Sequence, residues 1–211
     1  MALQMKRRLF LKSAASLPLM SLLSAPLRAE ESFTVFASDA EQVEYKYRKR
    51  EVDYKTLEPA GTIVVDTKHK YLYFTLGNNR AIRYGIGVGR EGALWAGGAT
   101  VKRKAKWPKW TPTPEMLAIH ENYKQWIDGM PGGPDNPLGA RAMYLIQDGG
   151  IDQSFRIHGT PAPQTIGQAT TSGCFRMLNI DVIDLYERVE VGTRVVVPEK
   201  SANKGQSLFG L

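Results

Sequence analysis

Cys174 is the only cysteine among 211 residues, so it can form no disulfide within the chain. It could be an inert buried thiol, a link to another molecule or a nucleophile. Its neighbours favour the nucleophile. It lies in Thr171-Ser172-Gly173-Cys174-Phe175-Arg176-Met177, and His158-Gly159-Thr160 stands upstream of it. A thiol reacts as thiolate, and a histidine beside it takes the proton and later returns it to a leaving group. Gly173 lets the backbone approach closely, and its N–H and that of Cys174 could bind a developing oxyanion. Arg176 could hold a carboxylate through two hydrogen bonds. Gly159 has no side chain, so it would orient His158 through its backbone carbonyl. Ser172 is a poor alternative nucleophile, because a thiol stands two residues away and no Gly-x-Ser-x-Gly elbow surrounds it. His69 and His120 read as surface residues. One cysteine and three scattered histidines give no zinc-ligand spacing, so no metal is expected. Gly85-x-Gly87-x-Gly89 is a phosphate loop only superficially, since no helix is predicted after it. No cofactor is expected.

These side chains need elements to hold them. Residues 154–158 read as a strand ending at the histidine, and residues 171–174 as a loop just before a helix. Between them, Pro161 and Pro163 mark a loop long enough to fold back and bring Cys174 to His158. The helix is predicted over 181–189, with Asn179 as its cap and Asp181 favourable near its N-terminus. Residues 62–66, 70–76 and 81–88 are short β-branched or period-2 stretches joined by turn signals, which predicts an antiparallel meander. Residues 141–147 and 193–197 read as further strands. Residues 89–140 read as a long irregular insert with one short helix near 114–123, of the kind that forms a lid or binding loop. Trp107, Trp110 and Trp126 within it could line a groove for glycan or peptide, or pack beneath the insert. Residues 30–57 are polar and read as a linker or an adaptable N-terminal extension. Residues 199–211 read as a loose tail.

The net charge of +7 is misleading as a sign of nucleic-acid binding. Lys6, Arg7, Arg8, Lys12 and Arg28 lie in residues 1–29, which hold no acid; the remaining chain has 23 basic and 21 acidic residues. That opening segment reads as an export signal. Lys6-Arg7-Arg8-Leu9-Phe10-Leu11-Lys12 is similar to the twin-arginine pattern, with Lys6 in place of the usual Ser or Thr. The apolar run that follows is interrupted by Pro18 and Pro26 and is too short to span a membrane. Cleavage after Ala29 would leave no stable membrane span. The expectation is a periplasmic protein, exported already folded.

His-Gly-Thr, a loop and then (S/T)-x-G-C-x-R-(M/L) resembles the L,D-transpeptidase catalytic domain, also called the YkuD domain. The likeness extends over residues 58–198. It includes Ile63-Val64-Val65-Asp66, the turn at 86–90, Trp107-Pro-x-Trp-Thr-Pro, Gly132-Gly133-Pro134-x-Asn136-Pro137-Leu138-Gly139 and Asn179-x-Asp181-Val182, as in the ErfK-type envelope branch. The resemblance implies a mainly β, sandwich-like mixed fold with a few short helices. It implies acyl transfer on peptidoglycan stem peptides, with Cys174 as nucleophile and His158 as base and then acid. Gly159 would orient the histidine, and Thr171, Ser172, Gly173 and Arg176 would surround the substrate. Many members have histidine where this chain has Ser172, which puts any role of that position in doubt. The acceptor could be a second stem peptide, a lysine of an envelope protein or a free D-amino acid. Water as acceptor, giving a carboxypeptidase or amidase, and a non-catalytic wall-binding protein are the alternatives.

Overall fold

The computed structural model describes residues 31–199, apart from 92, 151, 153 and 154. The expected export signal and all but the first residue of the expected tail lie outside them. The strands in chain order are β1 (Arg50–Asp53), β2 (Ile63–Asp66), β3 (Tyr71–Gly77), β4 (Arg80–Gly85), β5 (Val88–Gly89) and β6 (Gly97–Lys106). After helix α1 (Pro114–Ile119) come β7 (Arg141–Gln147), β8 (Arg156–His158), β9 (Ala169–Thr171) and β10 (Phe175–Arg176). Helix α2 (Asn179–Arg188) leads to β11 (Arg194–Val197).

Nine strands share one sheet in the order β1-β4-β3-β2-β11-β6-β7-β8-β10, and β5 pairs separately with β9. The sheet must curl. Strands lie roughly 5 Å apart, so a flat sheet would hold β4 and β10 more than about 30 Å apart. Yet Gly87, two residues beyond β4, is bridged to Arg176 of β10. The two halves close on one core: Leu72, Phe74 and Tyr84 from one half share a cluster with Met143, Ile157 and Phe175 from the other. This is the sandwich-like, mainly β architecture that the sequence leads one to expect. The predicted meander is present as β2-β3-β4, paired antiparallel with Ile63 opposite Phe74 and Phe74 opposite Ile82. Its third strand is shorter than the predicted 81–88, ending at Gly85. There the Tyr47 carbonyl lies so close that a Cβ would clash.

The segment read as linker or extension is an extension laid onto the sheet. β1 pairs with the outer edge of β4, from Arg50 opposite Arg83 to Asp53 opposite Arg80. Val43 and Tyr47 form a small apolar cluster with Ile166 and Leu178.

Residues 89–140 are not irregular throughout. β6 runs for ten residues between β11 and β7, well inside the sheet. Its lysine- and arginine-rich second half hides it from a search for apolar alternation. Only Ala99 and Val101 along it are fully buried. Lys104 is held by the Tyr186 and Val189 carbonyls at the end of α2, where a cation meets the negative end of the helix.

Helix α2 also differs in its start. Leu178 is the N-cap and makes no side-chain cap bond, and Asn179 is the first helical residue. Val182, Leu185 and Val189, spaced three and four apart, place one stripe in the core.

Candidate active site

β8 and β10 run side by side in parallel, with Ile157 opposite Phe175 and His158 opposite Arg176. Residues opposite each other in a ladder share a face, and faces alternate along each strand. Ile157 and Phe175 are fully buried in the core, so His158 and Arg176 belong to the other face. Cys174, half-buried, directly precedes β10, two residues before Arg176. The chain between histidine and cysteine folds back through β9, which is tied to β5.

The turn carrying the thiol is fixed from within. The buried Thr171 donates its hydroxyl to the Cys174 carbonyl at 2.6 Å and accepts the Gly173 N–H at 3.3 Å. The Thr171 carbonyl accepts the Arg90 N–H at 2.9 Å. Gly173 has φ +114°, and a Cβ there would collide with the Phe155 ring and the Ala93 carbonyl. The Gly173 N–H is therefore engaged inside the turn. An oxyanion donor at this position would be the Cys174 N–H rather than the pair suggested by the sequence. Ser172 is exposed.

His158 is 5% exposed, and its Nδ1 lies 2.6 Å from the Gly159 carbonyl oxygen. A carbonyl oxygen only accepts, so Nδ1 carries the proton. Burial, chiefly, and the nearby Arg176 and Arg156 guanidiniums push the histidine pKa down to about 3; the Gly159 hydrogen bond works the other way. The ring is thus neutral, and Nε2 keeps the lone pair that can take a proton. Arg176 is itself held below its ordinary value by burial, offset by the Cys174 sulfur and the Tyr123 phenol. Its Nε is buried without a hydrogen-bond partner.

Asn179 braces this arrangement. Its Oδ1 accepts the Ala140 N–H at 2.9 Å and the Thr160 N–H at 3.2 Å. It also packs so tightly on Gly159 that a Cβ there would clash. Asn136 does similar work in the insert. Its Nδ2 donates to the Pro108 and Pro131 carbonyls, and its Oδ1 accepts the Leu138 N–H. Of the three tryptophans singled out, Trp110 is buried and Trp107 and Trp126 are half-buried. Trp110 packs edge-on to Tyr123, the residue that reaches the electrostatic neighbourhood of Arg176. The insert therefore borders the cysteine site.

A family model described as the L,D-transpeptidase catalytic domain matches residues 60–197. The chain belongs to this family. Among curated relatives, a probable L,D-transpeptidase YbiS of Escherichia coli strain K12 is 36% identical over 140 residues, 64% of this chain and 43% of that protein. A probable L,D-transpeptidase ErfK/SrfK of the same strain is 34% identical over 142 residues, 65% of this chain and 43% of that protein. The match thus spans less than half the length of these relatives. A solved structure from Brucella melitensis, described as a probable carnitine operon oxidoreductase, is 47% identical. It covers 76% of this chain and 98% of that one, with a TM-score of 0.50.

Within this L,D-transpeptidase domain, the structure brings Cys174, His158, Gly159, Thr171, Gly173 and Arg176 into one neighbourhood around β8 and β10. His69 and His120 lie exposed, away from burial, and His69 pairs with Asp66 at 2.6 Å. The glycine run 85–89 passes into strand β5, not into a helix, so it lacks the strand-to-helix form that cradles a dinucleotide phosphate. Sequence reasoning missed Asn179 as a brace, Tyr123 as a neighbour of Arg176, and Arg156. Arg156 was within reach, since a residue two before His158 on a strand shares its face.

Proposed function

We propose that the chain is a cysteine-dependent L,D-transpeptidase acting on the stem peptides of peptidoglycan. The observation that carries this reading is the neutral, buried His158, oriented by the Gly159 carbonyl on the strand beside the one that Cys174 directly precedes. Cys174 Sγ attacks the carbonyl of the third stem residue, usually diaminopimelate. The thiol proton passes to His158 Nε2 as the sulfur–carbon bond forms. The imidazolium then protonates the nitrogen of the terminal D-alanine, which leaves as the carbon–nitrogen bond breaks. An acceptor amine attacks the thioester, gives its proton to His158, and the cysteine is released. Because His158 rests neutral in a site that disfavours its charge, the imidazolium exists only during the transfer. Arg176, half-buried near the sulfur, is placed to attract a substrate carboxylate.

The acceptor is an amine of a second stem peptide, of an envelope protein or of a free D-amino acid. Water as acceptor would make the same site a carboxypeptidase. The export signal expected in residues 1–29 suits a periplasmic enzyme reached by the twin-arginine route. Release of D-alanine from a stem tetrapeptide tests the reading. Wild-type protein is expected to release it and Cys174→Ala protein is not. Equal rates from the two would refute it. Chromatography of the products with and without an added amine separates transfer from hydrolysis. A carbapenem is expected to add to the wild-type protein by intact mass and not to the Cys174→Ala protein.

A further inference from the structure

The strand register continues the cysteine row outward across the sheet. β8 pairs antiparallel with β7, setting Arg156 opposite Tyr144, and β7 pairs with β6, setting Tyr144 opposite Arg103. All three therefore share the face of His158, which lies two residues after Arg156. The side chains meet as the register requires. The Arg103 guanidinium lies 3.6 Å from the centre of the Tyr144 ring, and that of Arg156 lies 5.3 Å from it. In the next row, the small residues Ala105 and Ala142 continue the register from His158.

Elsewhere, Arg80 and Arg194 of the sheet and Arg188 of α2 pair with Glu51, Asp148 and Asp184. Among the described residues, no carboxylate pairs with Arg103, Arg156 or Arg176, and the Nε atoms of Arg156 and Arg176 are buried without a hydrogen-bond partner. Three guanidiniums thus face one surface with their charge uncompensated. Stacking on Tyr144 fixes two of them while leaving their N–H edges for a ligand. An unpaired, partly buried guanidinium is costly unless an anion completes it, and a carboxylate fits its fork.

We infer that Arg156, Tyr144 and Arg103 form a carboxylate-binding shelf that extends from Cys174, distinct from Arg176, and holds a carboxylate-bearing peptide substrate. The inference deepens the proposed transpeptidase reading and rests on it for the identity of the peptide. Strand spacing places Arg156 about 5 Å, and Arg103 about 15 Å, from the cysteine row. The shelf thus favours a peptide with carboxylates along its length over one with a single terminal charge. That peptide could be the acyl donor or the amine acceptor.

Direct binding tests this without turnover. Full-length Cys174→Ala protein is titrated, by calorimetry, with a stem tetrapeptide and with a carboxylate-bearing amine acceptor. Each is used in its free-acid form and with its internal carboxylates converted to carboxamides. The free acid is expected to bind about tenfold more tightly than the carboxamide, as for loss of one charge-assisted hydrogen bond. Adding Arg103→Gln or Arg156→Gln is expected to bring that ratio towards one. Arg103 is exposed, so its variant folds even if the Arg156 variant is weakened. A loss confined to the tetrapeptide assigns the shelf to the donor, and a loss confined to the amine assigns it to the acceptor. A ratio near one in the starting protein, or one unchanged by both arginine substitutions, would overturn the shelf. Failure of the wild-type protein to release D-alanine would overturn the proposed activity instead, and leaves this binding result to be read independently.

Discussion

Burial and two guanidiniums hold His158 neutral, and this sets the pH response of the site. An exposed histidine loses its basic form as pH falls through about 6.5. Here the folded pKa lies well below that, so kcat/KM for D-alanine release is expected to show no histidine limb near pH 6.5. A half-maximal point at that pH in a pH–rate profile would contradict the neutral-imidazole mechanism. His158→Gln, which cannot move the proton, is expected to lower the release rate by about 10²–10⁴-fold. Gly173 makes a separate demand. Its φ of +114° and the contact with Phe155 leave no room for a methyl group. Gly173→Ala is expected to cost about 1–3 kcal/mol in urea unfolding and to impair thiol alkylation by iodoacetamide, because the turn must shift. The motif residues of this turn were legible in the sequence. The capture of the Gly173 N–H by Thr171 was not, because it depends on a side-chain rotamer.

At the scale of elements, Asn179 shows how a helix start serves a loop. The sequence predicts a cap there. The structure instead uses the carboxamide to accept two backbone N–H groups, from Ala140 before β7 and Thr160 after β8. Asn179→Ala would leave both N–H groups buried and unpaired, at a cost of about 2 kcal/mol or more. Faster amide exchange at Ala140 and Thr160 is the expected signature, with a fall in kcat as the His158 segment loosens. Unchanged exchange at both amides would remove the bracing role. β6 is the other element the sequence concealed. Its alternation is disguised by Lys102, Arg103, Lys104 and Lys106, of which three find partners only after folding: Lys102 with Asp152, Arg103 with Tyr144 and Lys104 with the end of α2. Local periodicity reports burial on one face. It fails where a strand inside the sheet spends its polar side chains on partners far along the chain.

For the whole molecule, two buried titratable groups pull stability in opposite directions with pH. His158 takes up a proton near pH 6.5 when unfolded but only near 3 when folded. Its neutral burial therefore contributes stability that is lost as pH falls from about 6.5. Asp181 is the reverse case. Burial, chiefly, raises its pKa to about 7, with Asp184 adding and Lys49 opposing. The folded form holds a proton that the unfolded chain gives up near pH 4, so its contribution is lost as pH rises through 7. Asp181→Asn removes that second loss. Its gain in melting temperature over the wild type is expected to be larger at pH 8 than at pH 5, and an equal gain at both would mean that Asp181 is ionised in the fold. The sequence by itself determined the candidate residues and much of the meander: the cysteine, the histidine, the turn between them and the strands with clear alternation. These are local patterns, written in neighbouring residues. Only the tertiary structure decided what covers and completes them, because register across the sheet is a long-range property. It set Arg103, Tyr144 and Arg156 in one row, brought Gly87 beyond β4 onto β10, and turned an N-terminal extension into an edge strand of the sheet.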